Sequence, residues 1–449
     1  MARRFRDSDE LYSWLLGYVN VEKGQKTEFK LDRMFALCDI LGDPQASCGV
    51  VHVAGSKGKG SVSAMLARCL EASGRRVGLY TSPHFLRWKE RISLAGDEMP
   101  EELILAAAEE VLSLVEGKTP SDFTGGELPT YFELTTLIAF CAFRRAGCDR
   151  AVVEVGLGGR LDSTNVVTPL ASVIQPIELE RTEWLGDTLG LIAAEKAGII
   201  KPGKPCYLSA QPPEAREVFV RVCADRSSPL REARTLVHIS GVTIGLEGTR
   251  ARFDFDAGTE LAIRFPGGLE LSTPMVGAVQ AENMALAILA AGETEKNLDA
   301  EAAARGMGRV RLPARFQVLD SRPPIILDGA HTPNSVRRTV ESFCALFTGP
   351  KALLFACAED KKHAEMAAIL APLFGRITLT RPGSFKKGDL GALASSFREA
   401  GSSYRLVEDF SEAIRSAREE ASALGLPLLV TGSFYLCAEF ATATGLIAS

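Results

Sequence analysis

The chain has 449 residues, 46% of them hydrophobic and 24% charged. That is globular composition with room for two or three domains, and it excludes disordered, collagen-like and disulfide-scaffold chains. Lys and Arg total 51 and Asp and Glu 56, and the net charge of −5 argues against a general nucleic-acid binder.

The basic start, Met1 to Arg6, is followed by Asp7-Ser8-Asp9-Glu10 rather than an apolar run, so no signal peptide is expected. No apolar stretch is long enough to span a bilayer. The pattern predicts a helix over 8–18, with Leu11, Trp14, Leu15 and Tyr18 on one face, and another over 31–41. A buried strand over 50–54 leads into a glycine loop and a helix over 61–73. Strands follow over 77–80, 151–155, 170–174 and 205–208, with helices over 131–146 and 188–198. That alternation predicts a mainly parallel sheet. Short alternating runs over 237–271 predict a small antiparallel meander, and 280–291 a helix. A boundary is predicted near 306–313, giving domains 1–308 and 309–449. The second contains strands over 325–327, 352–356, 377–380 and 427–431 and helices over 335–346 and 411–421, a smaller α/β domain. The ten Cys form no C-x-x-C pair, which suits reduced, buried thiols in a cytoplasmic protein. Only five His are present (His52, His84, His238, His331, His363), which limits His-based metal or triad chemistry.

The sharpest local signal is Gly55-Ser56-Lys57-Gly58-Lys59-Gly60-Ser61. It is a compact relative of the G-x-x-x-x-G-K-[ST] phosphate loop, one residue shorter. Glycines let backbone N–H groups turn onto an anion, and the helix N-terminus adds its dipole. Lys59 would reach the β- and γ-phosphates and the Ser61 hydroxyl would ligate Mg²⁺. The bland alternative is a structural turn with solvated lysines, which the strand–loop–helix context disfavours. In Val153-Glu154-Val155-Gly156-Leu157-Gly158-Gly159-Arg160-Leu161-Asp162, Glu154 ends a strand. Open α/β sheets bind ligands at that edge, where a carboxylate suits Mg²⁺; alone, it reads equally as a buried hydrogen-bonded acid. Lys196, in Glu195-Lys196-Ala197-Gly198, lies near a helix end, where a cation is ordinarily a dipole partner.

Together these segments resemble the Mur ligase superfamily, and within it the dihydrofolate synthase/folylpolyglutamate synthase family. The likeness runs in order through HVAGSKGKGSV from His52, TSPHF from Thr81, ERI from Glu90, TYFELTTLIAF from Thr130, VVEVGLGGRLDSTN from Val152, TEWLGDT from Thr182, EKAGIIKPGKP from Glu195, ARFQ from Ala314, LDGAHTPNS from Leu327 and VTGSFYL from Val430. It covers nearly the whole chain. It implies an α/β fold: a Mur-ligase-like P-loop ATPase domain with a mainly parallel sheet and small antiparallel meander, then a Rossmann-like C-terminal domain. The implied activity is ATP-dependent amide ligation of glutamate to a pteroate or folate carboxylate through an acyl phosphate. The implied partners are small molecules (pteroate or folate, glutamate, ATP), with no nucleic acid and no membrane, for a cytoplasmic monomer.

The resemblance also implies roles. Gly55, Ser56, Lys57, Gly58, Lys59, Gly60 and Ser61 would hold ATP, with Asn283 near the adenine and Arg315 and Asp328 reaching ATP from the second domain. Ser61 and Glu154 would ligate Mg²⁺, as one or two ions. Lys196 matches the lysine that the family carbamylates, which would add a metal ligand. His331 and Ser433 match positions near the γ-phosphate and incoming glutamate. Ser82, Pro83, His84, Tyr131 and Phe132 match parts of the pterin-site walls. ATP would lie between the domains, and closure would exclude water.

One departure concerns the chemistry. The family carries Asn-x-Gly-x-Asp-His before its EWLG-like stretch, and that His ligates a second Mg²⁺. Here the aligned positions hold Glu180 and Arg181. Arginine has no lone pair for a metal. Either Arg181 replaces the metal's charge at the phosphates, or Glu178, Glu180 or Glu183 rebuilds the site, or ligation is lost and a non-catalytic ATP-binding paralogue remains. A Mur-type ligase with another acyl or amine substrate is a further alternative. Two lesser departures are Ser56-Lys57 for Thr-Asn and Val279 for a His.

Overall fold

The computed structural model describes residues 5–19, 30–319, 322–384 and 387–445. It divides into two compact units. Met1–Gly241, Ala251–Ser272 and Ala281–Val310 form the first, and Val242–Arg250, Thr273–Gln280 and Arg311–Ser449 the second. The expected division is a single cut at 308/309, whereas this one is discontinuous, because residues 242–250 and 273–280 join the second unit.

The first unit is built on eight strands: β1 (Gly49–Ala54), β2 (Val77–Tyr80), β3 (Ile92–Leu94), β4 (Asp97–Glu98), β5 (Arg150–Glu154), β6 (Ala171–Ile174), β7 (Cys206–Leu208) and β8 (Leu230–Glu232). Their order is β4-β3-β2-β5-β1-β6-β7-β8. All pairings are parallel except β2 with β3 and β3 with β4 at one edge. Residues 50–54 of β1 are all buried, as expected of a parallel strand covered on both faces. One face packs Val50, Tyr80 and Val153 with Ile104, Val111, Leu134 and Phe140. The other packs Val155 and Ile174 with Ile192, Ala193 and Phe219. His52 is the polar exception within β1. Its Nε2 lies 2.8 Å from Thr164 Oγ1, and that hydroxyl donates to Asp162 Oδ1, so His52 is the donor to Thr164.

Chain order reverses around β1, which leads to β2 on one side while β5 leads to β6 on the other. The carboxyl ends of β1, β5 and β6 therefore share the edge where such sheets bind ligands. A small antiparallel sheet follows, β9 (Val237–Gly245), β10 (Gly248–Phe255) and β11 (Leu269–Thr273), in order β11-β10-β9. The helix Glu260–Arg264 interrupts the run expected to be all strand.

The second unit holds β12 (Gln317–Leu319), β13 (Ile325–Leu327), β14 (Ala352–Phe355), β15 (Arg376–Leu379), β16 (Arg405–Leu406) and β17 (Leu428–Thr431), in order β12-β13-β17-β14-β15-β16. Only β12 is antiparallel to its neighbour. Its core includes Ile326, Val336, Phe343, Leu353, Phe355 and Leu429. Among the described residues no helix is long and apolar enough to cross a membrane.

Candidate active site

In the first unit the phosphate loop leaves β1 at Ala54 and enters the helix Lys59–Ala72. That helix starts two residues earlier than expected, because Gly58 is its N-cap with φ +81°. Lys59 is thereby the first helical residue, at the positive end of the dipole. Gly55, at φ +144°, could not be replaced: a Cβ there would fall 2.5 Å from Gln175 Cβ. Gln175 follows β6 and is 2% exposed. Its Nε2 donates to Gly58 O at 3.2 Å and to Asn283 Oδ1 at 2.7 Å. Gln175 thus joins the loop to Asn283. Ser56 Oγ donates to Glu178 O, and Lys59 Nζ to Gly55 O at 3.0 Å.

Glu154 ends β5 and pairs in register with Val53 of β1. Its carboxylate is buried, and Oε2 lies 3.7 Å from where a Cβ on Gly60 would stand. The Mg²⁺-type donors predicted at Ser61 and Glu154 therefore flank one helix turn. Glu154 Oε2 also accepts the Ser82 N–H at 3.2 Å. Phe132 lies against Gly156, two residues past Glu154. A capping box between Thr130 and Glu133 starts the helix Tyr131–Arg145 and fixes Tyr131 and Phe132 in its first turn. His84 accepts from Arg91 Nε at 2.9 Å, and Arg91 lies over the Tyr131 ring. The exposed Pro83 adjoins this group.

In the second unit Asp328 directly follows β13, and Ser433 follows the adjacent parallel β17. Asp328 accepts from Phe316 N at 2.7 Å, Ala330 N at 2.9 Å and Thr339 Oγ1 at 2.9 Å. Burial raises its pKa, and Arg315 opposes the shift. Ala314 and Phe316 both occupy the left-handed region, at φ +51° and +47°, so the backbone on each side of Arg315 is strained. The Arg315 guanidinium lies 5.1 Å from the Phe434 ring centroid. His331 Nδ1 donates to Gly329 O at 2.8 Å, which leaves Nε2 as the acceptor nitrogen. Ser433 caps the helix Phe434–Thr444.

Comparison with known proteins shows the family of the chain. Residues 314–434 match the Mur ligase, glutamate ligase domain. The chain is 34% identical over 413 residues to a folylpolyglutamate synthase from Lacticaseibacillus casei, covering 90% of this chain and 92% of the relative. It is 31% identical over 441 residues to the dihydrofolate synthase/folylpolyglutamate synthase of Escherichia coli, covering 96% and 94%. The solved FPGS–AMPPCP–folate complex superposes with a TM-score of 0.81 at 29% identity, covering 98% of this chain and 99% of that one. The chain belongs to the dihydrofolate synthase/folylpolyglutamate synthase family. It is a C–N ligase of the Mur type.

Electrostatics single out one lysine in this ligase. Lys196 is 2% exposed, and Nζ lies 3.1 Å from Glu180 Oε1. Burial, and then the charge of Lys59, lower its pKa to about 8, against the pull of Glu180. Burial pushes Glu180 upward, but Lys196, Lys59 and Lys57 outweigh it and hold the carboxylate below its usual range. Lys57 Nζ is 3.9 Å from Glu180 Oε2. Arg181, next in the chain, has φ +48°, is exposed, and joins no ion pair among the described residues.

The structure thus gathers Gly55 to Ser61, Glu154, Lys196 and Asn283 around one sheet edge, with Ser82 bonded to Glu154, Phe132 against Gly156, and His84 and Tyr131 meeting at Arg91. Arg315, Asp328, His331 and Ser433 gather at the corresponding edge of the second unit. Among the described residues no group of three or more His, Cys, Asp or Glu is arranged to hold a metal. Sequence reasoning missed Gln175, which clamps the loop, and Arg91. Gln175 had one usable signal, its place one residue past a buried strand at the ligand edge.

Proposed function

We propose that the protein joins glutamate to the carboxylate of a pteroate or folate in two steps driven by ATP. A carboxylate is a poor electrophile. Its oxygen attacks the γ-phosphorus, ADP leaves, and an acyl phosphate forms. The glutamate amine then attacks the acyl carbon, phosphate leaves, and one proton is lost. Both steps spread charge over phosphoryl oxygens, so fixed cations and N–H groups should dominate. The observation that carries the reading is the glycine loop with Lys59 at the helix start, beside the buried Glu154.

In this reading the 55–61 backbone holds the phosphates and Lys59 follows the γ-phosphoryl group. Ser61 and Glu154 are hard oxygen donors that would hold Mg²⁺. When bound, the ion would neutralise phosphate charge. Arg315 and Asp328 act on ATP from the second unit. The acceptor Nε2 of His331 orients the glutamate amine and takes its proton. The depressed pKa raises the share of Lys196 present as free amine, to which CO₂ can add as a carbamate with loss of a proton. A ¹³C-bicarbonate NMR signal that disappears in Lys196→Arg tests that modification, and identical spectra would refute it.

Arg181 supplies positive charge at the phosphates directly. Its support is its exposure, its left-handed backbone, and a neighbouring carboxylate already engaged by Lys57 and Lys196. The test is Arg181→Ala and Arg181→His under saturating Mg²⁺. Loss of turnover in both supports a working arginine, and a gain in Arg181→His shows that the native site is impaired.

A further inference from the structure

His52 takes no part in the chemistry so far assigned to the first unit. It lies within β1, fully buried, three residues before the first glycine of the phosphate loop. Parallel strands covered on both faces favour apolar side chains, and the other residues from Val50 to Ala54 are apolar. His52 Nε2 donates to Thr164 Oγ1 at 2.8 Å. That leaves Nδ1 as a buried acceptor, with no hydrogen-bond partner among the described residues. Burial, and then the charge of Lys201, hold the ring neutral. A buried ring with an unpaired acceptor costs stability, so packing alone does not account for it.

Thr164 passes the bond onward. Its hydroxyl and its N–H both donate to Asp162 Oδ1, the N–H at 3.0 Å, and Asp162 Oδ2 accepts from Leu157 N at 2.9 Å. The Asp162 carboxylate thereby closes the turn 157–162 beyond β5. This turn is fastened in its own right to residues 195–198. Arg160 N donates to Glu195 O at 2.8 Å, and Asn165 Nδ2 donates to Arg160 O at 3.0 Å and to Gly198 O at 3.4 Å. A Cβ on Gly159 would stand 3.0 Å from Lys196 Cα, and one on Gly198 2.4 Å from Arg160 Cα. Backbones this close move together. One continuous chain of contacts therefore runs from β1, through Thr164 and Asp162, to the backbone of Lys196.

We propose that His52 is a positioning residue for Lys196. Through Thr164 and Asp162 it ties the turn that carries Lys196 to the strand that carries the phosphate loop, and so fixes the distance between that amine and the loop. A neutral donor suits the task, because it holds its bond without adding charge beside Lys59 and Lys196. Small misplacements of a reacting or charge-bearing group cost large factors in rate. This assignment rests on the folate-ligase reading and names a positioning element within it.

The test uses His52→Leu, the near-isosteric Thr164→Val, their double variant, and Thr164→Ser, which keeps the hydroxyl. Turnover, the KM for ATP and the thermal midpoint are measured for each, well below the midpoint. Turnover should fall about tenfold or more in His52→Leu and Thr164→Val, with the ATP KM held within about threefold. The double variant should lose no more than the worse single one, since both cut the same chain, and Thr164→Ser should recover most of the loss. Unchanged turnover in Thr164→Val overturns the proposal, even where His52→Leu fails to fold. So does a lowered midpoint with turnover per folded molecule intact, the signature of a purely structural histidine, or a Thr164→Ser no better than Thr164→Val. Wild-type turnover reports separately on the ligase reading. If wild type turns over no pteroate, labelling by acetic anhydride, mapped by mass spectrometry, decides: a rate at Lys196 changed about threefold or more in Thr164→Val, with the other lysines unaffected, supports the assignment, and equal rates overturn it.

Discussion

Two buried groups in the first unit have their pKa values lowered by burial and a nearby lysine, with different consequences. Lys196 keeps a carboxylate partner and still has its pKa lowered to about 8, because burial and Lys59 outweigh Glu180. It stands as a poised amine rather than a simple counter-ion. His52 has only neutral partners, and its pKa falls to about 3 through burial and then the charge of Lys201. The second shift predicts a pH dependence of stability. The native pKa lies below the unfolded value, so the unfolded chain takes up the proton first and stability falls as pH drops. From pH 7 to pH 5 the loss from His52 should be about 2 kcal/mol, given an unfolded pKa near 6.5. Urea unfolding of wild type and His52→Gln across that range measures it. The variant should show a flatter profile, and equal slopes would contradict the assignment. For catalysis, Lys59→Ala should lower turnover by about 100-fold or more while leaving the thermal midpoint close to wild type, since among the described residues the side chain's one hydrogen bond is to Gly55 O.

At the scale of elements, the phosphate loop is held from behind as much as it is shaped by its own glycines. Gln175 joins it to Asn283, so the end of β6 and the helix Val279–Thr294 both brace the loop. Gly55→Ala should therefore cost stability and activity together, because its Cβ would strike Gln175 and its φ is unfavourable. Gln175→Ala should spare the fold more than the KM for ATP; a thermal scan beside ATP kinetics separates the two, and an unchanged KM would show that the clamp is idle. This contrast also marks what the sequence made legible. Strands β1, β2, β5 and β6 were legible because parallel strands are continuous apolar runs. The loop was legible because strand, glycines and helix coincide. The helices Glu101–Val115, Pro213–Asp225 and His363–Leu370 were not, and they lack a capping side chain at their start. Ala300–Gly308, Leu390–Glu399 and Phe434–Thr444 were not legible either, although Asp299, Asp389 and Ser433 cap them. Gln175 is held by long-range contacts that no local pattern announces.

For the whole molecule, the two units each contribute charged or polar groups at the carboxyl ends of parallel strands. In the second unit the chain accepts two left-handed residues to set Arg315 between them, with Asp328 binding the Phe316 N–H. Such strain is retained where function demands it. Arg315→Ala leaves both left-handed residues in place and removes the charge that opposes burial at Asp328, so it should lower the midpoint modestly, yet reduce ATP turnover about 100-fold, measured as ADP release beside a thermal scan. A large drop in the midpoint with turnover per folded molecule intact would make Arg315 structural. The central claim concerns what the two sets do together. Purified protein given ATP, Mg²⁺, glutamate and either dihydropteroate or tetrahydrofolate should release ADP and phosphate only when all components are present, with one glutamate added per ATP consumed. Folded protein that releases no phosphate with any pteroate, or releases it without need of glutamate or pteroate, would contradict the account.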